Sequence, residues 1–350
     1  MNNKTNQKLP QKDKILEKSD LQRVNKIHGI SISRTASCIS HLFFAGDTLL
    51  LGQATIDEAR HIRYAINLYE RASGQQINQE KSGIVFSKHI SPNLAGYISS
   101  ILGISQVEGH NKYLGLPSIV GGNKRELFAS IKDRIWQRIQ GWNNHSLSKA
   151  GKEILIKSVL QAIPVYAMSC FRLPDSLIYD INSLIGAYWW GSKDGKKKIH
   201  WASWRTLTLA KLASGLGFKD LKIFNLAMLG KQALRLLTQP TSLLFRILQA
   251  KYYLTSSFMD ANLGNRPSWT WRSIMEGRRI LFIGCRKQII SGRSTRIWGD
   301  RWIPKPPHFN LSSVHPVLPR DVLVRSLIDE TSRSWNSVLV SELFLWRKPV

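Results

Sequence analysis

One acidic residue in a turn between two apolar runs is the first feature of this sequence that could support chemistry. Asp47 follows Ala45 and Gly46, and β-prone residues 39–44 and 48–51 flank this turn. Small and acidic residues between such runs predict a β-hairpin. A carboxylate on a rigid hairpin tip could bind one of the divalent cations that nucleotidyl transfer requires, because hard cations prefer oxygen ligands. Taken alone, the pattern is more typical of an ordinary hairpin.

The charge of the chain indicates a polyanionic partner. The 350 residues include 50 lysines and arginines against 23 aspartates and glutamates, which gives a net charge of +27. The excess lies mainly after residue 120, in the part that also contains all 12 tryptophans. Basic residues neutralise phosphates and aromatic rings stack on unpaired bases, so nucleic acid is favoured as the partner. A membrane surface is the weaker alternative, because the basic residues are not confined to one amphipathic helix.

Other functional classes find little support in the sequence. No apolar run is long enough to span a bilayer, and the polar, lysine-rich start does not form a secretory signal. The three cysteines, Cys38, Cys170 and Cys285, lie far apart, which argues against a disulfide framework and against a zinc site. We therefore expect a protein that is neither secreted nor membrane-spanning, located in the nucleus or the cytoplasm.

Hydrophobic periodicity predicts an α+β fold that becomes mainly helical along the chain. Residues 30–120 show the hairpin, a helix at 57–72 that ends at Gly74, a strand at 83–86 and a helix at 94–102. Helices follow at 125–142, at 149–163 with Ser148 as the N-cap, and at 175–190. The later part is predicted to contain helices at 225–237, 242–252 and 269–280, then a hairpin at 286–298. The last fifty residues show no clear periodicity.

Several motifs in a fixed order resemble plant LINE-type (non-LTR) retrotransposon reverse transcriptases. The segment ISHLFFAGDTLL at 39–50 resembles the paired-aspartate motif of the palm in that family. It is followed by YERASGQQIN at 69–78, by Lys81-Ser82, and by KYLGLP at 112–117. Segments that resemble the thumb and post-thumb regions lie at 147–153, 162–164, 168–171, 198–201, 215–221, 224–225, 296–298 and 300–304. The resemblance covers roughly residues 27–305.

This resemblance implies an arrangement of domains. A partial reverse-transcriptase palm is expected at 28–120, with the hairpin and a primer-grip-like turn, and a helical thumb at 121–190. A basic, tryptophan-rich and mainly helical post-thumb domain is expected at 191–310. Residues 1–27 are expected to form a disordered basic tail, and residues 311–350 an irregular C-terminal tail. The implied ancestral activity is RNA-directed DNA synthesis with Mg²⁺ as the cofactor.

The resemblance also implies roles for individual residues of the palm. Asp47 corresponds to the second metal-binding aspartate of the family, and Gly46 stands where the first is expected. Lys81 matches a lysine that protonates the departing pyrophosphate as a general acid. Tyr113, Leu114 and Gly115 resemble the primer grip, which holds the primer 3′ end in line for reaction. Without the family match, Lys81 is better explained as a solvated turn lysine and Tyr113-Leu114 as part of a packed strand.

Basic residues of the primer-grip-like turn and the thumb-like helices are candidates for contact with phosphates. Such contacts would hold a primer–template duplex without reading its sequence. The candidate nucleic-acid-binding residues are Lys112, Arg134, Arg138, Lys149, Lys152 and Lys157. A solvated helix surface is the alternative explanation for the helical residues. Five tryptophans are expected in the core rather than as stacking platforms for bases: Trp189, Trp190, Trp201, Trp204 and Trp298.

We expect a reverse-transcriptase remnant that lacks polymerase activity and still binds nucleic acid. The family's other palm aspartate belongs upstream of the motifs found here, and Gly46 removes a further ligand, so Asp47 is the only recognisable metal carboxylate. One carboxylate does not hold two Mg²⁺ ions in the required geometry, and we expect this chain not to bind Mg²⁺ stably. Three alternatives stay open: an active polymerase completed by another polypeptide, a non-catalytic binding module, and a degenerate reading frame without a selected function.

Overall fold

A computed structural model describes the chain at residues 27–33, 36, 38–44, 46–107, 112–113, 116–117, 124–143, 147–193, 196–304, 319, 321–329, 331–332 and 334–343. Side chains are described for these residues except 112–113, 116–117, 124–127, 143, 192–193, 196–197 and 342–343. Leu114, Gly115 and residues 1–26 of the predicted basic tail lie outside the described residues. The same holds for the side chains of Lys112 and Tyr113 and for much of 311–350.

Helices dominate the described residues, and the named strands form separate two-stranded antiparallel sheets. The strand pairs are β1 (His41–Phe44) with β2 (Asp47–Leu50), β3 (Lys112–Tyr113) with β4 (Leu116–Pro117), β5 (Ser192–Lys193) with β6 (Lys196–Lys197), and β7 (Ile328–Asp329) with β8 (Ser334–Trp335). The α-helices are α1 (Ile56–Ser73), α2 (Pro92–Leu102), α3 (Lys124–Asn143), α4 (Lys149–Leu155), α5 (Val165–Cys170), α6 (Asp175–Trp190), α7 (Trp204–Thr208), α8 (Leu221–Thr238), α9 (Leu243–Tyr252), α10 (Trp269–Gly284) and α11 (Ser337–Leu343). This mixture is compatible with the predicted α+β class. None of the described helices combines the length and the apolarity needed to cross a membrane.

The chain divides into two compact units, each assembled from separate segments. The first unit comprises Met1–Glu153, Tyr179–Lys198 and Pro240–Asn262, and the second comprises Ile154–Ile178, Ile199–Gln239 and Leu263–Val350. The palm, thumb and post-thumb boundaries that the resemblance implies stay predictions.

The hairpin of the first unit is held at its base and exposed at its tip. β1 and β2 pair with Phe44 opposite Asp47. At the base, Ile30 forms an antiparallel bridge with Ile39. Gly29 permits this approach, because its φ is +67° and a Cβ there would lie 2.5 Å from the Ile39 carbonyl oxygen. The hairpin predicted from the apolar runs and the small turn is therefore confirmed.

Helices α1 and α2 share a small apolar core, and a glycine ends each of them. Ala59 of α1 and Ile98 and Leu102 of α2 are buried together. Gly74 and Gly103 adopt the left-handed conformation at the two C-caps, with φ of 68° and 66°. Glycine takes this conformation at the lowest cost, since it has no Cβ. Both predicted helices and the predicted glycine cap at Gly74 are confirmed.

Helix α3 packs and helix α4 begins as the sequence predicts. Ile131, Ile135 and Ile139 are buried at four-residue spacing, which places them on one side of α3. Ser148 caps α4, because its Oγ accepts a hydrogen bond from the Gly151 N–H at 3.2 Å. The predicted apolar stripe of α3 and the predicted N-cap of α4 are therefore confirmed.

Two predicted elements of this part differ from those observed. The strand predicted at 83–86 is wrong, because Ile84 makes only an isolated parallel bridge with Gln106. A strand needs a partner along several residues to satisfy its backbone groups, and the alternation of residue types alone does not supply one. The helix predicted at 149–163 is α-helical only over α4 and continues as a π-helix at Ile156–Leu160.

Helices α5, α8 and α10 form the core of the second unit. At the crossing of α8 and α10, a Cβ on Gly277 would lie 2.4 Å from a carbonyl carbon of α8, so this approach requires glycine. Buried Asn225 donates from Nδ2 to the carbonyls of Met168 and Phe171 at 2.8 and 2.9 Å. The helices predicted at 225–237 and 269–280 are confirmed, whereas the short helix α5 was not predicted.

A second apolar cluster of this unit connects residues 297–298 with residues 324–327. Ile297, Trp298, Val324 and Leu327 are buried in it. The hairpin predicted at 286–298 is wrong, because Arg296 pairs instead with Leu323 in an isolated antiparallel bridge. A 3-10 helix at Val324–Leu327, followed by β7, β8 and α11, is regular structure that the sequence did not predict.

Candidate nucleic-acid interface

The side chain of Asp47 lies exposed at the hairpin tip, beside Gly46. A Cβ on Gly46 would meet no atom within 4 Å, so this position has room for a side chain. Phe44, opposite Asp47 in the register, is 61% exposed and leaves an apolar ring at the tip. Among the described residues, no group of three or more His, Cys, Asp or Glu could hold a metal ion. The expectation that this tip does not hold Mg²⁺ stably stays a prediction.

Lys81 is exposed in the turn region that follows α1. Its backbone N–H donates to Asn78 Oδ1 at 3.1 Å, and Ser82 Oγ donates to the Asn78 carbonyl at 2.8 Å. Asn78 thus shapes this turn through both its side chain and its backbone. In the primer-grip-like turn, β3 and β4 pair with Tyr113 opposite Leu116. The general-acid role of Lys81 and the primer-grip role of the turn stay predictions.

Arg134 and Arg138 are exposed and lie one turn apart on α3. Within the described part of the chain, neither guanidinium has an ion-pair or hydrogen-bond partner. Lys132 of the same helix differs, because its Nζ is paired with Asp180 Oδ2 at 2.9 Å. A guanidinium presents five N–H donors that match the geometry of phosphate oxygens. The two residues, called the free arginines below, are therefore available to a phosphate backbone.

Lys149 and Lys152, called the capping lysines below, bind the C-terminal end of α6. Lys149 Nζ donates to the Trp189 carbonyl at 2.8 Å, and Lys152 Nζ donates to the Tyr188 carbonyl at 3.2 Å. The last carbonyls of an α-helix lack partners within the helix and form the negative end of its dipole. The two ammonium groups also lie 4.6 Å from the Trp189 ring centroid and 5.1 Å from the Tyr188 ring centroid. These contacts occupy both charges within the fold.

The surroundings of the capping lysines lower the pKa of both amino groups. For Lys149, desolvation by burial is the largest cause, and repulsion from Lys198 adds to it. For Lys152, desolvation is again the largest cause, followed by repulsion from Lys149 and then from Lys198. A lowered pKa is expected for an ammonium group that is partly withdrawn from water, because its charged form loses hydration.

Lys157 belongs to the second unit and lies against an aromatic pair. Its Nζ is 5.8 Å from the Phe218 ring centroid, and Phe218 stacks with Trp204 at 5.4 Å. Gly217 also approaches this amino group, since a Cβ there would lie 3.9 Å from Lys157 Nζ. The structure therefore places Lys157 in a different environment from that of the free arginines, and its role in phosphate contact stays a prediction.

Most of the tryptophans that were expected in the core are buried to some degree. Trp189 and Trp298 are buried, and Trp190 and Trp204 are half-buried. Trp201 is 80% exposed, so the prediction for this residue is wrong. Its segment precedes α7 and lacks the helical spacing that would direct a side chain inwards.

The second unit contains a cavity of about 450 Å³ that the sequence did not predict. The loop at 289–293, residue 325 of the 3-10 helix and the β7–β8 hairpin contribute to its wall. The wall includes the apolar residues Ile290, Ile328 and Trp335 and the charged residues Arg293, Arg325 and Asp329. One sequence signal points to this region: residues 286–301 contain five basic side chains and a single acidic one.

The fold and these surfaces define a basic, mainly helical protein with small antiparallel hairpins and with exposed arginines on one side of α3. No protein-family model matches the chain. The chain is 46% identical to the "Uncharacterized mitochondrial protein AtMg00310" of Arabidopsis thaliana over 151 residues, which cover 42% of this chain and 98% of that protein. It therefore belongs to the same family as this mitochondrial protein.

A second relative is the "Putative ribonuclease H protein At1g65750" of Arabidopsis thaliana. It is 33% identical over 215 residues, which cover 61% of this chain and 35% of that protein. The chain thus spans about a third of the length of this relative. Both relatives are plant proteins, and the second has a ribonuclease H name.

Proposed function

We propose that the chain is a remnant of a plant non-LTR retrotransposon reverse transcriptase, and that it binds nucleic acid through phosphate contacts. The ordered motifs between residues 39 and 304 support this origin. The relative with a ribonuclease H name supports a connection with nucleic acid. The net charge of +27 supports a polyanionic ligand, because it raises the local concentration of such ligands at the surface.

The observation that carries the binding proposal is the pair of free arginines on α3. Arg134 and Arg138 are exposed, one turn apart, and unpaired within the described residues, so both keep their charge for a ligand. A guanidinium binds phosphate through two parallel hydrogen bonds, which makes arginine well suited to this contact. Contacts of this kind provide affinity without reading the base sequence. The expected ligand is therefore a primer–template duplex or another nucleic acid of any sequence.

The proposal excludes DNA synthesis by this chain alone. Gly46 occupies the position of the first aspartate of the palm motif, and Asp47 by itself does not hold two Mg²⁺ ions in line with a primer end. Lys81 and the turn at 112–117 retain the residue types of the ancestral site. Mg²⁺-dependent extension of a primer on an RNA template by the purified chain would establish the competing function, an active polymerase.

Binding is tested with the purified chain and a fluorescently labelled duplex. We expect the logarithm of the association constant to fall linearly with the logarithm of the KCl concentration between about 50 and 200 mM. Arg134→Ala combined with Arg138→Ala is expected to make the slope shallower by roughly 1.8, because each lost phosphate contact removes roughly 0.9. Arg60→Ala is the matched control, since Arg60 is an exposed arginine of α1 that is already paired with Asp57.

Two results would contradict the binding proposal. The first is an affinity that does not change with salt, and the second is the same slope for the double variant and the unchanged chain. Thermal unfolding followed by circular dichroism on the same samples separates a loss of binding from a loss of fold. We expect a cooperative transition, and a gradual one would support a degenerate reading frame instead.

A further inference from the structure

The cavity of the second unit combines groups that recognise an unpaired nucleotide. Arg293, Arg325 and Trp335 line it, and its volume of about 450 Å³ lies in the range of small-ligand sites. Trp335 is 47% exposed, and its ring stacks with Trp302 at 5.8 Å between centroids and 22° between planes. The indole is thus supported by a second ring while about half of it stays open to a ligand.

The wall of the cavity is held by backbone contacts. The Arg325 N–H donates to the Gly292 carbonyl at 3.1 Å. Gly292 has φ +68°, and a Cβ there would lie 2.5 Å from the Arg325 nitrogen, so the loop approaches the 3-10 helix only with glycine at this position. A wall that is formed before binding reduces the ordering cost of a ligand.

The cavity keeps a positive charge although Asp329 belongs to its wall. Arg293 is exposed and has no ion-pair partner in the portion of the chain that is described. Asp329 Oδ1 accepts a hydrogen bond from the Thr331 N–H at 2.9 Å, and Oδ2 accepts one from Ser332 Oγ at 2.8 Å. Hydrogen bonds from Thr331 first, and then from Ser332, lower the pKa of Asp329 to about 2. This carboxylate is satisfied by its own loop, which leaves the guanidinium of Arg293 for a ligand.

We infer that this cavity binds an unpaired nucleotide of a single-stranded nucleic acid, with the base stacked on Trp335 and a phosphate bound by Arg293. The inference rests on the proposed nucleic-acid binding. It adds a site that prefers single strands to duplexes. Stacking on a side chain needs a base whose face is open, and bases inside a duplex are covered by their neighbours. The free arginines, in contrast, contact phosphates of single strands and duplexes alike.

The test compares a labelled strand of about 12 unpaired thymidines with a duplex of the same length, using fluorescence anisotropy with the full chain. Trp335→Ala is expected to weaken single-strand binding by at least about fivefold, the contribution of one stacked base, and to change duplex binding by less than about twofold. Trp335→Phe is expected to restore most of the loss, because it keeps an aromatic face. Trp201→Ala is the matched control, since Trp201 is 80% exposed in the same unit and lies outside the cavity wall.

Arg293→Ala gives an independent measurement, because Arg293 is exposed in a loop and its loss does not remove a ring from the β7–β8 hairpin. It is expected to make the salt slope of single-strand binding shallower by roughly 0.7. Unchanged single-strand binding in both Trp335→Ala and Arg293→Ala would overturn the cavity site while duplex binding still supported the proposed function. An equal loss for single strand and duplex in Trp335→Ala would also overturn it. Absence of binding to either ligand by the unchanged chain would overturn the proposed function itself.

Discussion

Two consecutive helices carry basic residues that look equivalent in the sequence and are used differently in the structure. The free arginines of α3 are exposed and unpaired within the described residues. The capping lysines of α4 donate to the terminal carbonyls of α6. Part of the chain's positive charge therefore interacts with the negative end of the α6 dipole and is not available to a ligand. The net charge of a chain overstates the charge that a ligand can reach.

Position along the helix accounts for this difference. Lys149 begins the short helix α4 and Lys152 lies three residues later, and the long flexible side chains of both reach the end of α6. The free arginines lie in the middle of α3, whose buried side is made of isoleucines.

The largest effect is expected when the free arginines are reversed in charge. Arg134→Glu combined with Arg138→Glu is expected to weaken duplex binding at least about tenfold at low salt, because two attractive phosphate contacts become repulsive. Lys231→Glu combined with Arg272→Glu makes the same change of net charge at exposed positions of the second unit. Anisotropy titration measures both variants. An equal loss in the control would show that net charge, and not the position of the arginines, determines binding.

The second effect concerns stability and depends on the capping lysines. Lys149→Met combined with Lys152→Met is expected to lower the free energy of unfolding by about 1 to 2 kcal/mol, because two terminal carbonyls of α6 lose their hydrogen-bond donor. Lys132→Met is the control, since it breaks an exposed ion pair with Asp180 and should cost less than about 1 kcal/mol. Urea-induced unfolding measures both changes. A larger loss of unfolding free energy in Lys132→Met would contradict the prediction that the capping lysines stabilise the fold more than an exposed ion pair does.

The smallest effect is a dependence of stability on alkaline pH. Desolvation and neighbouring lysines lower the pKa of Lys149 and Lys152 below the ordinary value of 10.5, so the unfolded chain binds more protons than the folded protein between the two values. Stability is therefore expected to rise with pH through this window. Thermal unfolding at several alkaline pH values should show a flatter rise in the double methionine variant. The same rise in both proteins would contradict the direction of these pKa shifts.

Local patterns in the sequence were sufficient to predict the hairpin at residues 41–50 and most of the long helices. The spacing of Ile131, Ile135 and Ile139 predicted the buried side of α3. Ser148 and Gly74 predicted where one helix begins and another ends. Each of these features depends on residues within a few positions of one another, and spacing describes such neighbours directly.

Features that depend on distant residues could not be predicted in this way. Lys149 donates to a carbonyl 40 positions later in the chain, and Arg296 pairs with Leu323 instead of folding into a local hairpin. The cavity brings together residues between Ile289 and Trp335. Spacing does not encode such contacts, because tertiary packing first has to bring the segments together. The hairpin pattern pointed to Asp47 before the family resemblance did, whereas Lys81 came from the resemblance alone, and both roles stay predictions.

The close crossing of α8 and α10 at Gly277 has a consequence for how the gene of this protein evolves. A Cβ at this position would lie 2.4 Å from the backbone of α8, so any other residue forces the two helices apart. Every amino-acid replacement of this glycine adds a side chain. A gene copy that drifts freely would lose this codon at the neutral rate, whereas a copy whose product must fold would retain it. Codon 277 in related plant genes therefore records whether the folded protein has been maintained by selection.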